Sequence, residues 1–361
     1  MIAILVAGAV ALLVALFGTP LFIKFLVRKQ YGQFIRQDGP TAHLLKRGTP
    51  TMGGVVIIIA TILGYIASLV VSRRTPTATA LLALYLIVGL GLVGFADDYT
   101  KIRYRRSLGL TPLAKIIGQG FVGITFALLA LQFPNENLRT PASLRISFLR
   151  DSNFSLGFAG VALGLILFVV WANLLITAWS NAVNLTDGLD GLATGVSIFV
   201  FLGFLILGIW QMNQSCQNIL SVGPRCYETR DPQDIAIIAA AIIGACFGFL
   251  WWNASPAKIF MGDTGSLALG GAVAALSILS RTQLLATILG GLFVLIVISD
   301  VIQIGFFKMT GKRVFKMAPL HHHFELSGWG EVTIVIRFWL IAGLFVAAGI
   351  GIFYAEWLTQ W

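Results

Sequence analysis

The sequence predicts an all-α polytopic membrane protein with about ten transmembrane helices. Three observations carry this expectation. Of 361 residues, 57% are hydrophobic and only 11% are charged, whereas about a quarter are charged in soluble domains; mean hydropathy is +0.88. Apolar runs near the roughly 20 residues that cross a bilayer recur along the chain, separated by short polar loops with no room for a soluble domain. Finally, the basic residues divide unequally between alternate loops.

The first run, 2–26, lacks a basic leader and a small-residue cleavage signature. It is therefore expected to stay as a helix, with the mature chain starting at Met1. Further spans fall at 53–71, 77–96, 113–132, 157–178, 192–210, 235–252, 265–280, 284–307 and 333–356. Residues 1–361 read as a single integral membrane domain.

Sixteen of the 25 Lys and Arg lie in one set of alternate loops, among them Lys24, Arg28, Arg47, Lys101, Lys115, Lys258, Lys308 and Lys316. Eight, including Arg73, Arg145 and Arg230, lie in the other. The positive-inside rule makes the first set cytoplasmic and puts the N- and C-termini outside, as an even helix count requires. The net charge of +10 is spread over short loops without stacked aromatics, which points to topology and anionic phospholipid rather than nucleic acid. Of the three cysteines, Cys246 sits in an apolar run and needs no chemical role. Cys216 and Cys226 share a polar loop, where a disulfide can form if that loop faces an oxidising compartment.

The same topology sorts the acids. Asp97, Asp98, Asp187, Asp190, Asp263 and Glu325 all fall on the cytoplasmic side beside helix ends, so an active site is expected in the cytoplasmic loops. Asp97 and Asp98 end the third span, where the helix dipole is already negative. A hard divalent cation such as Mg²⁺, or the nearby Lys101, can offset them, and a solvated helix end is the plain alternative. The segment Asn181 to Gly191 packs two amides, a hydroxyl and two carboxylates between apolar runs, with glycines that admit close backbone approach. Asp263 opens the eighth span, where Asp263, Thr264 or Ser266 can serve as an N-cap. A helix start also attracts phosphate, and an aspartate there is compatible with phosphate when Mg²⁺ bridges the two, which makes Asp263 the leading metal ligand. His321, His322 and His323 precede the last span. Their spacing does not suit a helical zinc site, so contact with a diphosphate is the better reading, with Glu325 orienting one ring.

Together these residues offer carboxylates for a metal and cations for phosphates beside a lipid phase, the inventory of phosphoryl transfer. No GxxxxGK[ST] motif is present, which disfavours ATP-driven pumping. A transporter is the alternative of a different class, because Asp300 and Asn173 lie inside apolar spans. Acids gathered at one face and the lack of an internal repeat weigh against it.

The blocks Thr49 to Gly54, Phe95 to Tyr99, Asn181 to Ala193, Phe260 to Ser266 and His321 to Glu325 closely resemble the phospho-N-acetylmuramoyl-pentapeptide-transferase family, in order and over nearly the whole chain. The His-His-His-Phe-Glu block favours it over related transferases that use UDP-N-acetylglucosamine. The resemblance implies ten transmembrane helices in the bacterial inner membrane and transfer of phospho-MurNAc-pentapeptide from UDP-MurNAc-pentapeptide to undecaprenyl phosphate. The products would be lipid I and UMP, with Mg²⁺ as cofactor. That step begins the membrane stage of peptidoglycan synthesis, and so serves cell wall biogenesis, cell shape and division. The lipid bilayer is the third partner implied, and a homodimer is left open.

Residue by residue, the resemblance puts the aspartate pair on Asp97 and Asp98, the magnesium ligand on Asp263 and the histidine motif on His321, His322 and His323, of which His322 and His323 are taken as catalytic. Gly188, Leu189, Asp190 and Asn253 would form the nucleotide pocket, with Phe260 stacking on uracil. Asn181, Asn184 and Asp187 match further substrate-binding positions, and Lys101, Lys115 and Gln303 match polar residues around nucleotide and phosphates. Arg47 departs from the lysine other members can carry, and the two differ in phosphate geometry. The expected mechanism has Mg²⁺ on Asp263 holding the diphosphate while Asp98 deprotonates or positions the lipid phosphate. An aspartyl-phosphate route through Asp263 or Asp98 stays open.

Overall fold

Among the described residues, ten helices of 18 to 29 residues are long and apolar enough to cross a bilayer. The protein is seen in a computed structural model that describes residues 1–29, 31–32, 48–106, 108–158, 160–216 and 226–359. In chain order the elements are α1 (Ile2–Arg28), α2 (Gly54–Ser72), α3 (Ala78–Arg103), α4 (Pro112–Ala130), β1 (Arg145–Ser147), β2 (Asp151–Ser155), α5 (Val161–Thr186) and α6 (Leu192–Asn213). There follow α7 (Pro232–Asn253), α8 (Gly262–Leu279), α9 (Leu285–Leu289), α10 (Gly291–Thr310), α11 (Leu320–Glu325) and α12 (Glu331–Thr359). The short α9 and α11 do not span. Polar residues mark several helix ends: Thr77 and Thr111 accept from the backbone N–H three residues on, each at 3.2 Å, and Pro112 opens α4.

Each expected span has its helix, and five features differ from the reading of the sequence. Helix α3 runs seven residues beyond the expected end at 96, because Lys101 lies one turn from Asp97 and Asp98 and pairs with both, which supports the polar turn. Helix α5 continues past 178 to Thr186, since Asn181 and Thr186 return side-chain hydrogen bonds to carbonyls one turn back. The ninth span divides at Gly290 into α9 and α10; a Cβ at Gly290 would lie 2.6 Å from the Trp179 ring. The histidine segment, read as a loop, is the six-residue helix α11. The stretch between α4 and α5 also holds an unforeseen antiparallel hairpin, with Arg145 opposite Ser155 and Ser147 opposite Asp151.

Helix α8 is the central element, packed by α2, α3 and α5 and buried along nearly its full length. Small residues permit this closeness: a Cβ on Gly54 would fall 2.0 Å from the Gly265 nitrogen, and one on Gly94 would fall 2.1 Å from the Asp263 carbonyl oxygen. The second contact matters most, because it presses the end of α3 that carries Asp97 and Asp98 against the start of α8. At the opposite end of the bundle a disulfide joins Cys216 to Cys226. Cys246 is a free, buried thiol in α7.

Candidate active site

The start of α8 turns on Gly262, whose φ of +72° suits glycine and whose added Cβ would meet an Asp98 carboxylate oxygen at 2.5 Å. No side chain of α8 caps it. The cap comes instead from α3: one Asp98 oxygen accepts from the Asp263 N–H at 3.1 Å, and the other accepts from the Thr264 N–H at 2.9 Å and its hydroxyl at 2.7 Å. A carboxylate suits the positive end of a helix, and these bonds join positions 165 residues apart in sequence.

Asp97 is also buried. One of its oxygens accepts from the Leu110 N–H at 2.7 Å and lies 3.2 Å from Lys115 Nζ, and the other lies 2.6 Å from Lys101 Nζ. Gly109 leaves the space, since a Cβ there would sit 2.3 Å from that carboxylate. Asp263 meets Lys101 at 3.1 Å and Lys115 at 2.5 Å. Lys101 therefore reaches all three acids. Three carboxylates share two ammonium groups, one oxygen from each acid lies within 4.8 Å of the others, and the cluster could hold a metal ion. Asp263, at 14% side-chain exposure against 1% and 2% for Asp97 and Asp98, is the acid that a ligand can reach.

Helix α5 and its turn form the next wall. The Asn184 amide donates to Ser266 of α8 at 2.8 Å, and Asn181 donates to Thr177 at 2.7 Å and Gln119 at 3.5 Å. Asp187 follows the helix end and is half-buried. Burial first, then the charges of Asp263, Asp98 and Asp190, push its carboxyl up to about 8, while Lys101 pulls the other way. Asp187 thus shares the field of Asp263, Asp98 and Asp190. Gly188 lies against His321, whose Nε2 would be 2.3 Å from a Cβ at that position, and His321 is fully buried.

Asp190 and Asn253 are braces. The Asp190 carboxylate accepts from the Ala257 N–H at 3.0 Å, and its own N–H donates to Glu331 of α12 at 2.9 Å. Asn253 accepts from the Thr194 hydroxyl at 2.8 Å and donates to the Ile259 carbonyl at 2.9 Å. Between them they fix the 254–261 loop that carries Phe260, whose backbone bonds to Pro50 and Gly53 and whose ring is half-buried. Leu189 is buried beneath the same turn. In α11 the His322 Nδ1 lies 2.6 Å from Glu325, the orienting contact expected for one ring, and the His323 Nδ1 accepts from the Lys316 N–H at 3.1 Å.

The sequence-predicted residues thus gather around the junction of α3, α5, α8 and α11, with two exceptions. Gln303 spends its amide on the chain: its oxygen accepts from the Val314 and Phe315 N–H groups at 3.1 and 2.9 Å, and its nitrogen donates to the Phe315 carbonyl at 3.1 Å. Arg47 lies outside the described residues. Thr264, Ser266, Leu110 and Glu331 hold the site together and were not singled out for those roles. Only the polar character of Thr264 and Ser266, beside Asp263, offered a signal.

The chain also has close relatives of known family. The profile described as Glycosyl transferase family 4 matches residues 79–281, which includes all three acids, and the signature described as Phospho-N-acetylmuramoyl-pentapeptide-transferase signature 1 matches residues 46–58. A phospho-N-acetylmuramoyl-pentapeptide-transferase of Beutenbergia cavernae is 73% identical over 359 residues, 99% of this chain and 100% of its own. The chain belongs to the phospho-N-acetylmuramoyl-pentapeptide-transferase family. Transferases of the same name from Kineococcus radiotolerans and Streptomyces griseus are 63% and 59% identical, each over 99% of both chains. The transferase family therefore accounts for the whole length, from α1 through the histidine helix to α12.

Proposed function

We propose that the chain transfers phospho-MurNAc-pentapeptide from UDP-MurNAc-pentapeptide to undecaprenyl phosphate, yielding lipid I and UMP, in the bacterial inner membrane with the acid cluster facing the cytoplasm. The observation that carries this reading is the cluster itself, three carboxylates and two lysines at a bundle end. Phosphoryl transfer needs positioning and charge neutralisation above all. The Cys216–Cys226 disulfide at the opposite end supports an external face there, because disulfides persist in oxidising compartments. The excess of Lys and Arg at the acid end supports the same orientation.

The donor set fits a small hard dication, with oxygen ligands only and one reachable carboxylate. Bound through Asp263 with Asp97 and Asp98 beside it, Mg²⁺ would neutralise charge on the diphosphate. The chain's own residues supply the rest. A lipid phosphate oxygen bonds to the sugar-linked phosphorus, the bond from that phosphorus to the bridging oxygen breaks, and UMP leaves with the electron pair. Lys101 and Lys115, about a quarter exposed on flexible stems, turn from the acids toward phosphate oxygens. Asp98 caps α8 and so fixes Asp263, and its Oδ1, which accepts one hydrogen bond, keeps a lone pair with which to deprotonate or position the lipid phosphate. Gly188, Asp190, Asn253 and Phe260 shape the nucleotide side, and the α11 imidazoles meet the diphosphate.

Release of UMP from UDP-MurNAc-pentapeptide, assayed with and without Mg²⁺ and undecaprenyl phosphate, tests the reading. Turnover that requires all three components supports it. Turnover with UDP-N-acetylglucosamine in place of the pentapeptide substrate points to a sister activity, and an acid-stable phosphorus label trapped on the protein sinks direct transfer.

A further inference from the structure

At the disulfide end of the bundle, away from the acid cluster, the β1–β2 hairpin borders a cavity of about 930 Å³, a size that takes a small ligand. Its lining is amphiphilic. Leu131 at the end of α4, Val161 and Leu165 at the start of α5, and Leu144 and Leu149 beside the hairpin strands supply apolar surface. Arg145, Asp151, Gln211 and Arg281 supply hydrogen-bonding groups.

The polar groups are only partly spent on one another. Arg145 is exposed, and its guanidinium has no acid or other partner among the described residues. Arg281 gives one nitrogen to Asp151 at 2.9 Å, while its buried Nε is without a partner among the described residues. This arginine follows the C-cap of α8 with φ of +57°, a conformation that glycine takes most cheaply, so the side chain is kept against a backbone preference. Gln211, 1% exposed on α6, donates to the Ser280 carbonyl at 3.0 Å, and its Oε1 accepts nothing among the described residues. Buried polar atoms without partners are few in folded proteins, and one that lines a cavity marks a place for a ligand donor. The cavity thus offers guanidinium N–H groups to an anion and a carboxamide oxygen to a hydroxyl.

Its position says where such a ligand comes from. Val161, Leu163 and Ile166 are exposed along the first turns of α5, a spanning helix, and so face lipid. Phe154 and Phe158, also exposed, lie with ring centroids 6.4 Å apart between the hairpin and α5, where aromatic side chains mark the membrane interface. A soluble anion would use the arginines and leave the leucines idle. A zwitterionic lipid would use the leucines and bring its own cation to Arg145.

We propose that this cavity binds an anionic glycerophospholipid of the outer leaflet, with its phosphate held by Arg145 and Arg281, a head-group hydroxyl donating to Gln211, and the start of an acyl chain against Leu144, Leu149 and Val161. A guanidinium matches two phosphate oxygens at once, which suits it to this task. The site lies at the other end of the bundle from the transfer chemistry and does not depend on the transferase reading.

The test uses the full chain in detergent, stripped of lipid. The probes are short-chain phosphatidylglycerol, short-chain phosphatidylcholine and glycerol 3-phosphate, with binding followed by native mass spectrometry and by the rise in unfolding temperature. Phosphatidylglycerol binds about tenfold more tightly than phosphatidylcholine, and about a hundredfold more tightly than glycerol 3-phosphate, which lacks the acyl chains. Arg145→Gln breaks no ion pair, so its unfolding temperature without lipid and its UMP release match wild type, yet its Kd for phosphatidylglycerol rises about tenfold. Gln211→Leu raises that Kd about threefold. Arg73→Gln, which removes an exposed arginine outside the cavity lining, leaves it within about twofold. Equal affinity for the two lipids, or equal losses in Arg145→Gln and Arg73→Gln, would overturn the proposal. Glycerol 3-phosphate that binds as tightly as phosphatidylglycerol would also overturn it, in favour of a site for soluble phosphate esters. A wild-type chain that binds phosphatidylglycerol as described but releases no UMP overturns the transferase reading and leaves this site standing.

Discussion

Charged clusters sit at both ends of this bundle, and they are built differently. At the end away from the site the cations are arginines, and several pair one to one with an acid: Arg281 with Asp151 at 2.9 Å, Arg150 with Glu356 at 3.0 Å, Arg230 with Asp231 at 3.4 Å and Arg74 with Asp234 at 3.7 Å. Hydroxyls add further bonds, Thr77 to Asp234 and Ser143 to Asp151. At the site end two lysines serve three acids, and Lys101 touches all of them. A guanidinium is a rigid fork that locks onto one carboxylate, whereas an ammonium on a four-carbon stem is a point charge that can pivot. The first cluster fastens loops to one another. The second leaves surplus negative charge and movable cations where a dication and phosphates would arrive.

The contrast can be broken at several points. Asp263→Asn removes the reachable carboxylate and is expected to cut UMP release about a thousandfold, near 4 kcal/mol at 1.36 kcal/mol per factor of ten. Steady-state assay checks this, and a rate within tenfold of wild type would move the metal-binding role elsewhere. Lys101→Arg keeps the charge but not the pivot, and should lower kcat about thirtyfold, whereas Arg281→Lys should leave kcat within about twofold and cost about 1 kcal/mol of stability. Equal effects of these two exchanges on kcat would erase the distinction between the clusters. Asp98→Asn takes the charge from the α8 cap and should cost about 1 to 2 kcal/mol, read as a lowered unfolding temperature that accompanies the lost turnover. Near-normal turnover in that variant would remove Asp98 from the mechanism altogether.

The smallest expected effect is on pH dependence. The Asp187 carboxyl is raised to about 8 in the folded chain, so the folded state holds a proton that the unfolded state gives up near the ordinary carboxyl value. Its contribution to stability therefore falls as pH rises from the ordinary carboxyl range toward 8. Unfolding temperature followed from pH 6 to 9 should decline less steeply in Asp187→Asn than in wild type. Parallel curves would mean that Asp187 is already ionised.

Much of this was legible in the chain. Lipid contact demands long apolar runs, so ten spans could be marked out, and the acids of the site fell beside one set of their ends. Hydropathy reports contact with lipid rather than helicity, which is why α3 and α5 seemed to stop short of Asp97 and Asn181. The Asp98 cap on α8 joins residues far apart and carries no local signal. The same holds for the bonds by which Asp190 and Asn253 clamp the Phe260 loop, where the residues were expected to face nucleotide. Gln303 shows the converse: its type and place suited a ligand contact, yet the neighbouring backbone at 314 and 315 claims both ends of its amide.

The two helices that bring the acids together meet at Gly94, where no methyl group could be accommodated beside the Asp263 carbonyl. The spacing of the cluster is thus set by atoms that are missing. Every larger residue at 94 wedges the two acid-bearing helices apart, so a position with no chemistry of its own governs the dimensions of the site as firmly as any of its charges.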